Sequence, residues 1–254
     1  MIKFKDFIPV NEIKLLGNEK KYVDQCIRTN WISSEGSFVK KFEKDFSNLV
    51  EKKYSIAVSS GTAALQLAFE SLNLKEGDEI ILPSFTIISC ILPIIRLKLK
   101  PIFIDADINT WNMNVEHVEK KISKKTKVIL VSHIYGLPTE MIEISKLAKK
   151  YNIKIIEDNA QAIGCQYTFK NGQKKYTGTI GDIGTTSFYP SKNLGAYGDG
   201  GAIFTDDELL AKKIKMIANH GQSKKYNHKI IGCNSRLDSL QAEILNIKLK
   251  YLND

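Results

Sequence analysis

The sequence predicts an α/β fold in which a mostly parallel sheet of seven strands lies between two layers of helices. Along residues 51–238, short apolar runs alternate with segments whose apolar residues recur at helical spacing. The short runs are near-continuously apolar, which is typical of strands covered on both faces. A hydrophobic fraction of 43% and the absence of low-complexity tracts agree with a globular chain that buries a large core.

The individual elements follow from these patterns. The predicted strands are 54–59, 79–82, 102–105, 127–132, 153–158, 185–188 and 202–205, and the predicted helices among them are 62–71, 115–122, 142–150 and 208–219. Because two strands follow the one that ends at Asp158, this acid need not lie at an edge of the sheet.

The two ends of the chain differ from this central region. Residues 1–50 contain helical patterns at 15–27 and 38–49 around a loop at 31–36, and we interpret them as a helical arm that packs on the sheet domain or on a partner subunit. Residues 239–252 predict a strong helix, and the chain after it offers nothing for its apolar face to pack on. The predicted organisation is an arm at 1–50, an α/β domain at 51–238 and a final helix at 239–254.

Composition excludes several classes of function. The net charge of +9 does not indicate a nucleic-acid partner, because nearly all of the 37 basic residues are scattered lysines rather than the arginines that base recognition favours. The four cysteines lack CxxC spacing and predict free thiols in a reducing compartment, and the four histidines suggest no metal site. With no signal peptide and no apolar stretch long enough to cross a bilayer, we expect a cytoplasmic protein with no membrane partner.

Two runs point to the chemistry of the site. One strand ends in Asp158, and Lys192 follows a turn that contains Ser187 and Ser191. Pyridoxal 5'-phosphate (PLP) requires such a pair, because a lysine forms a Schiff base with its aldehyde and a carboxylate pairs with its ring nitrogen. A solvated loop acid is the alternative for Asp158, but the carboxyl end of a strand faces the crevice where open α/β sheets bind ligands.

Residues 60–64 are a candidate phosphate site between a predicted strand and a predicted helix. Gly61 permits a tight turn, after which the free N–H groups of the helix start face an incoming anion. An ordinary Ser/Thr N-cap is the alternative and would be preferred if the segment stood alone. Because the lysine and the acid are also present, we interpret it as a phosphate site.

Three other polar residues are candidates with alternatives left open. Ser187 lies five residues before Lys192, from where its hydroxyl can reach a phosphate. Gln161 either hydrogen-bonds the phenolic oxygen of the cofactor ring or is a polar residue at a helix start. Asn234 either reaches a phosphate or belongs to a capping segment in which Asp238 is the N-cap of the last helix.

Several segments occur in the same order in a known family. They include Trp31-Ile32-Ser33-Ser34, Ser60-Gly61-Thr62-Ala63-Ala64-Leu65, Pro83-Ser84-Phe85-Thr86, His133-Ile134-Tyr135-Gly136, Glu157-Asp158-Asn159-Ala160-Gln161 and Ser187-Phe188-Tyr189-Pro190-Ser191-Lys192. On these segments the chain resembles the DegT/DnrJ/EryC1/StrS sugar aminotransferases from about residue 8 to its end. The N-terminal segments look most like those of perosamine synthases.

The resemblance implies a fold and a set of roles. The fold is the large domain of PLP-dependent transferases of fold type I, a three-layer α/β/α arrangement. Lys192 is the catalytic lysine that holds PLP and shuttles protons, Asp158 pairs with the pyridine nitrogen, and Gln161 contacts the ring oxygen. The remaining cofactor-binding residues are Thr62, Ala63 and Ser187 at the phosphate, and Asn234 at the phosphate of the neighbouring subunit's cofactor, which implies a homodimer with shared sites.

The implied reaction moves an amino group from glutamate, through PLP, to a keto group of a nucleotide-linked deoxysugar such as a 4-keto-6-deoxyhexose. Its products feed surface polysaccharide and O-antigen synthesis. Some relatives have His at the lysine position and dehydrate the sugar, so Lys192 favours transamination over the dehydratase alternative.

The chain also departs from the family. Ile87 stands where an aromatic residue usually stacks on the cofactor ring, although an aliphatic side chain can still pack there. The family continues past the last helix into a small C-terminal domain, so we expect that domain to be absent and the helix to expose an apolar stripe. The hypotheses are therefore an active aminotransferase, alone or completed by a separate polypeptide, and a non-catalytic remnant that binds PLP or a sister subunit.

Overall fold

A seven-stranded sheet forms the centre of the protein, whose computed structural model describes residues 12, 13, 15 and 17–252. Its strands are β1 (Tyr54–Val58), β2 (Glu79–Pro83), β3 (Lys100–Ile104), β4 (Thr126–Ser132), β5 (Lys154–Asp158), β8 (Ile183–Ser187) and β9 (Gly201–Thr205). They lie in the order β1-β9-β8-β5-β4-β2-β3. Because β9 alone runs antiparallel to its neighbours, the prediction of a mostly parallel sheet is confirmed.

Helices cover both faces of this sheet. They are α1 (Glu19–Arg28), α2 (Ser37–Leu49), α3 (Gly61–Ser71), α4 (Leu92–Arg96), α5 (Val118–Lys121), α6 (Met141–Tyr151), α7 (Glu208–Ala218) and α8 (Ser239–Lys248). Alternate strand residues enter opposite cores, as the pleat requires. In β4, Val128 and Leu130 join α3, α4 and α7, whereas Ile129 and Val131 join α5 and α6. The three-layer arrangement is thereby confirmed.

Short elements that the sequence did not predict surround the main sheet. Two hairpins pair β6 (Gln166–Thr168) with β7 (Lys174–Tyr176) and β10 (Gln222–Lys224) with β11 (Asn227–His228). Short 3-10 helices span Ile88–Cys90, Val115–His117, Ile134–Gly136 and Leu249–Tyr251. The predicted helix at 115–122 is therefore split into a 3-10 turn and α5. The predicted helix at 15–27 begins at Glu19, and part of that prediction lies outside the described residues.

The final helix does not expose its apolar face, so that expectation is wrong for α8. Ala242 and Leu245 are buried in one core with Phe42 and Phe46 of α2. The amide of Asn246 also donates to the backbone oxygen of Phe38. The reason is a contact between distant parts of the chain: the N-terminal arm supplies the surface that α8 covers.

The strand order of the sheet places Asp158 near its middle. Its strand, β5, is fourth of the seven and lies between β4 and β8.

Among the described residues, none of the helices combines the length and the apolar character needed to cross a membrane.

Candidate active site

A cleft of about 410 Å³ opens at the carboxyl ends of the parallel strands. This is the end of an open α/β sheet at which ligands bind. The cleft brings together seven of the nine residues predicted from the sequence: Gly61, Thr62, Ile87, Asp158, Gln161, Ser187 and Lys192. Ala63 and Asn234 are not among the residues that line it.

Close backbone approach shapes the end of the cleft where α3 begins. A Cβ atom on Gly61 would lie 2.7 Å from Ser187 Cβ, and one on Gly201 would lie 2.5 Å from the Ser60 carbonyl. Neither contact is tolerable for a side chain. The two glycines therefore allow the turn between β1 and α3 to sit directly against β8 and β9.

The start of α3 combines a capped amide with two available ones. Ser60 is the N-cap, and its Oγ accepts from the Ala63 amide at 3.1 Å, as the capping alternative predicted. The amides of Gly61 and Thr62 occupy the first two helical positions, where no intrahelical acceptor exists. They point out of a helix N-terminus, where the helix dipole also favours an anion.

Two hydroxyl groups complete this donor set. Ser187 lies against Gly61, and its Oγ accepts from the Tyr189 amide at 3.2 Å, so its own proton can be donated elsewhere. Thr62 Oγ1 lies 2.7 Å from Ser89 Oγ, which ties the helix start to the 3-10 helix Ile88–Cys90. Amides and hydroxyls grouped in this way suit a phosphate.

Asp158 is a buried acid with a defined orientation. Its side chain lines the cleft although the residue is only 6% exposed. Oδ1 accepts from the Ala160 amide at 3.0 Å, and Oδ2 accepts from Cys90 Sγ at 3.2 Å. None of the ion pairs found within the described part of the chain involves Asp158. A cationic group in the cleft would offset the cost of burying this charge.

Gln161 is held with its donor end free for a ligand. The backbone amide of Tyr135 donates to Gln161 Oε1 at 2.7 Å. A backbone N–H needs an acceptor, so this contact also fixes which end of the side-chain amide is oxygen. Both N–H groups of Nε2 are then left for other acceptors. Tyr135 itself adopts a left-handed conformation with φ of 52°, a strained state that is common at functional sites.

Lys192 is half-buried in a compact turn after β8. Its amide donates to the Tyr189 carbonyl at 2.8 Å, and the Ala196 amide donates to the Phe188 carbonyl at 2.8 Å. Gly195 closes the turn, because a Cβ there would lie 2.3 Å from the Pro190 carbonyl oxygen. Lys192 lines the same cleft as Asp158 and Gln161.

A buried network that extends from the cleft residue His133 into the protein was not predicted from the sequence. His133 Nδ1 accepts from the Thr139 amide at 3.1 Å, so Nε2 carries the proton and donates to Glu157 Oε2 at 2.9 Å. Glu157 also accepts from the amides of residues 178, 180 and 181. The signal was present: consecutive strand residues face opposite sides, so one acid of Glu157-Asp158 had to be buried away from the cleft.

The remaining predicted residues lie at or beyond the rim. Ile87 is 46% exposed and faces the opening. Asn234 is exposed, and its Oδ1 accepts from Arg236 Nε at 3.1 Å.

The residues present fit PLP. A glycine-lined turn with unpaired amides and a serine hydroxyl suits its phosphate, a buried carboxylate suits its ring nitrogen, and an amide N–H suits its phenolic oxygen. A lysine amine in the same cleft suits its aldehyde.

Comparison with known proteins agrees with this fit. The model of the DegT/DnrJ/EryC1/StrS aminotransferase family matches residues 14–254. The chain is 40% identical over 250 residues to GDP-perosamine synthase of Escherichia coli O157:H7, covering 98% of this chain and 67% of that protein. It is 42% identical over 254 residues to dTDP-3-amino-3,6-dideoxy-alpha-D-galactopyranose transaminase of Aneurinibacillus thermoaerophilus, covering 100% and 68%.

A solved structure with a different chemistry also has this fold. It is GDP-4-keto-6-deoxymannose-3-dehydratase with a trapped PLP-glutamate geminal diamine, with a TM-score of 0.90 and 29% identity over 96% of this chain and 68% of that one. Among the most similar curated relatives, the chain spans from 56% to 68% of their length.

Proposed function

Because this chain belongs to the DegT/DnrJ/EryC1/StrS aminotransferase family, we propose that it is a PLP-dependent enzyme that moves an amino group from glutamate to a keto group of a nucleotide-linked deoxysugar. One observation carries the proposal: Lys192, Asp158, Gln161 and the free amides at the start of α3 line a single cleft. Each of these groups suits a different part of the cofactor.

Different residues of the chain bind the cofactor and transfer protons. When bound, PLP supplies the electron sink and the carbonyl group through which the amine passes. The Gly61 and Thr62 amides, with the Ser187 hydroxyl, bind the phosphate. The Asp158 carboxylate would pair with the ring nitrogen. The Lys192 amine would move a proton from the α-carbon of the amino donor to the cofactor in the first half of the reaction, and from the cofactor to the former keto carbon of the sugar in the second half.

The substrate is proposed to be a 4-keto-6-deoxyhexose linked to GDP or dTDP. Support for a nucleotide-linked deoxysugar comes from two relatives at 40% and 42% identity, whose names specify a GDP-linked and a dTDP-linked sugar. The dTDP-linked relative is named for a sugar with its amine at C3, so a 3-keto sugar belongs in the same test. The products would serve surface polysaccharide or O-antigen synthesis.

A cytoplasmic location is proposed as well, because the four cysteines are free thiols, as is usual in a reducing compartment.

The test is an amino-transfer assay with glutamate, PLP and a panel of GDP-, dTDP- and UDP-linked keto sugars. We expect 2-oxoglutarate and an amino sugar in equal amounts, both lost in Lys192→Ala. A sugar product lacking one oxygen would instead support the dehydratase alternative. PLP binding without any product would support the non-catalytic hypothesis.

We also propose that two chains form a dimer with shared sites. Asn234 lies outside the cleft of its own chain and is exposed. The exposed rings of Phe85, Trp111 and Tyr135 cluster with centroids 5.6–6.3 Å apart, and Phe85 and Tyr135 are sequence neighbours of the cleft residues Thr86 and Ile134. A partner chain that covers this cluster would lie beside the cleft.

Complementation tests this arrangement. Lys192→Ala and Asn234→Ala are each expected to inactivate or weaken a homodimer. A mixed dimer has one site with both defects and one intact site, so co-refolding the two variants should restore activity. Failure to restore it, with a dimer shown by light scattering, would argue against Asn234 acting across subunits.

A further inference from the structure

Cys90 lies directly behind the acid of the proposed cofactor site. It is 0% exposed and ends the 3-10 helix Ile88–Cys90. Its Sγ lies 3.2 Å from Asp158 Oδ2, within the range of a hydrogen bond to sulfur. It does not line the cleft, so it faces the acid from the protein side.

The direction of this hydrogen bond follows from the neighbours of the sulfur. The Thr86 hydroxyl donates to Sγ at 3.3 Å, and Ser132 Oγ lies farther away, 3.6 Å from Sγ, than Asp158 Oδ2 at 3.2 Å. The S–H proton therefore points to Asp158. Burial, together with the charge of Asp158, raises the pKa of the Cys90 thiol well above its usual range, so the proton is retained at neutral pH.

The contact completes the support of the carboxylate. Oδ1 already receives the Ala160 amide, and Oδ2 receives the thiol, so rotation of the carboxylate would break a bond at either oxygen. A thiol is a weak donor and leaves most of the negative charge available to a cation. The arrangement therefore orients Asp158 without neutralising it.

The same short helix also contacts other parts of the site. Ser89 Oγ bonds Thr62 Oγ1 at the phosphate end, and Ile87, the residue before the helix, lines the cleft opening. Cys90 therefore belongs to an element that is already joined to the site at two further points.

We infer that Cys90 is a positioning residue, whose thiol donates to Asp158 Oδ2 and holds that carboxylate facing the cleft. The inference rests on the proposed function for its role in PLP binding. Reaction of Cys90 itself is disfavoured, because the thiol is fully buried and stays protonated.

Three variants separate positioning from packing. Cys90→Ala removes the donor, and Cys90→Ser keeps one. Cys26→Ala is the matched control, because Cys26 is also a fully buried thiol but contacts the backbone carbonyl of Ser239, at the start of α8. The dissociation constant of PLP, measured by absorbance titration, should rise about tenfold in Cys90→Ala at neutral pH, as loss of a hydrogen bond to a charged group implies.

Rescue by Cys90→Ser distinguishes loss of the hydrogen bond from a cavity. Both variants remove the sulfur atom, but only Cys90→Ser keeps a donor facing Asp158 Oδ2, so PLP affinity should fall in Cys90→Ala and return towards the wild-type value in Cys90→Ser. The other titratable groups around the acid are His133, Tyr189, Lys192 and Asp199 in the cleft, with Glu157 on the opposite strand face, and they are unchanged in all variants.

A second measurement does not need the cofactor. In the PLP-free protein, Cys90→Ala should lose more stability at neutral pH than Cys26→Ala, because Asp158 Oδ2 loses a buried hydrogen-bond donor, and Cys90→Ser should recover part of that loss. If the wild type binds no PLP but this pattern holds, the proposed function fails and the hydrogen bond stands. Equal losses in Cys90→Ala and Cys26→Ala, or a Cys90→Ser variant that behaves like Cys90→Ala, would overturn the inference.

Discussion

Gly61 is a residue of the site that cannot accept a side chain without a shift of its neighbours. A Cβ there would meet Ser187 Cβ at 2.7 Å and Ser187 Cα at 3.2 Å. The second atom is backbone and cannot rotate away. The turn between β1 and α3 would have to move, and it carries the amides that we assign to the phosphate.

Gly61→Ala should therefore weaken PLP binding and destabilise the fold by about 1–3 kcal/mol, as overpacking does. Absorbance titration and denaturant unfolding measure the two effects. Gly198→Ala is a matched control, because its Cβ would lie 3.4 Å from the flexible amide end of Gln241. Unchanged PLP affinity in Gly61→Ala would show that the turn does not hold the phosphate.

At the residue scale, the predicted site residues that the structure brings into one cleft are mostly those at the ends of elements. Lys192, Asp158 and Gly61 follow or end strands, and a parallel sheet brings such positions together. The sequence did not predict Cys90, Ser89 or Glu157 as partners of the site. Their roles depend on contacts between segments far apart in the chain, such as Cys90 with Asp158, which no local pattern encodes.

At the element scale, α8 shows that an apolar stripe expected to be exposed is covered by a distant part of the chain. The sequence predicts the helix and its N-cap, and Asp238 indeed accepts from the Gln241 amide. It does not show that α2, some 200 residues earlier, covers the helix. By contrast, the strands were predicted closely, because their apolar runs are local.

Leu245→Ala should cost about 2–5 kcal/mol of stability, since Leu245 is 0% exposed between α8 and α2. Leu209→Ala, at a residue that is 78% exposed, should change stability by no more than about 0.5 kcal/mol. Urea unfolding of the two variants gives the comparison. Similar small losses in both would mean that α8 is not packed on α2.

At the scale of the whole molecule, the sheet order explains why one cleft collects the site. Strands β4, β5 and β8 are adjacent and parallel, so residues that follow them, including His133, Gln161 and Lys192, meet at one end. The start of α3, which follows β1, lies beside these residues because Gly201 of β9 has no side chain at the point where β9 passes Ser60. Together these features place the groups suited to PLP around a single cleft.

The most direct measurement of this account is borohydride reduction of the PLP-loaded protein, followed by peptide mapping. We expect an absorption band that is fixed by borohydride, with the label on Lys192 and no fixed label in Lys192→Ala. A label spread over surface lysines, or no band in a folded protein, would contradict the assignment of this cleft as a PLP site.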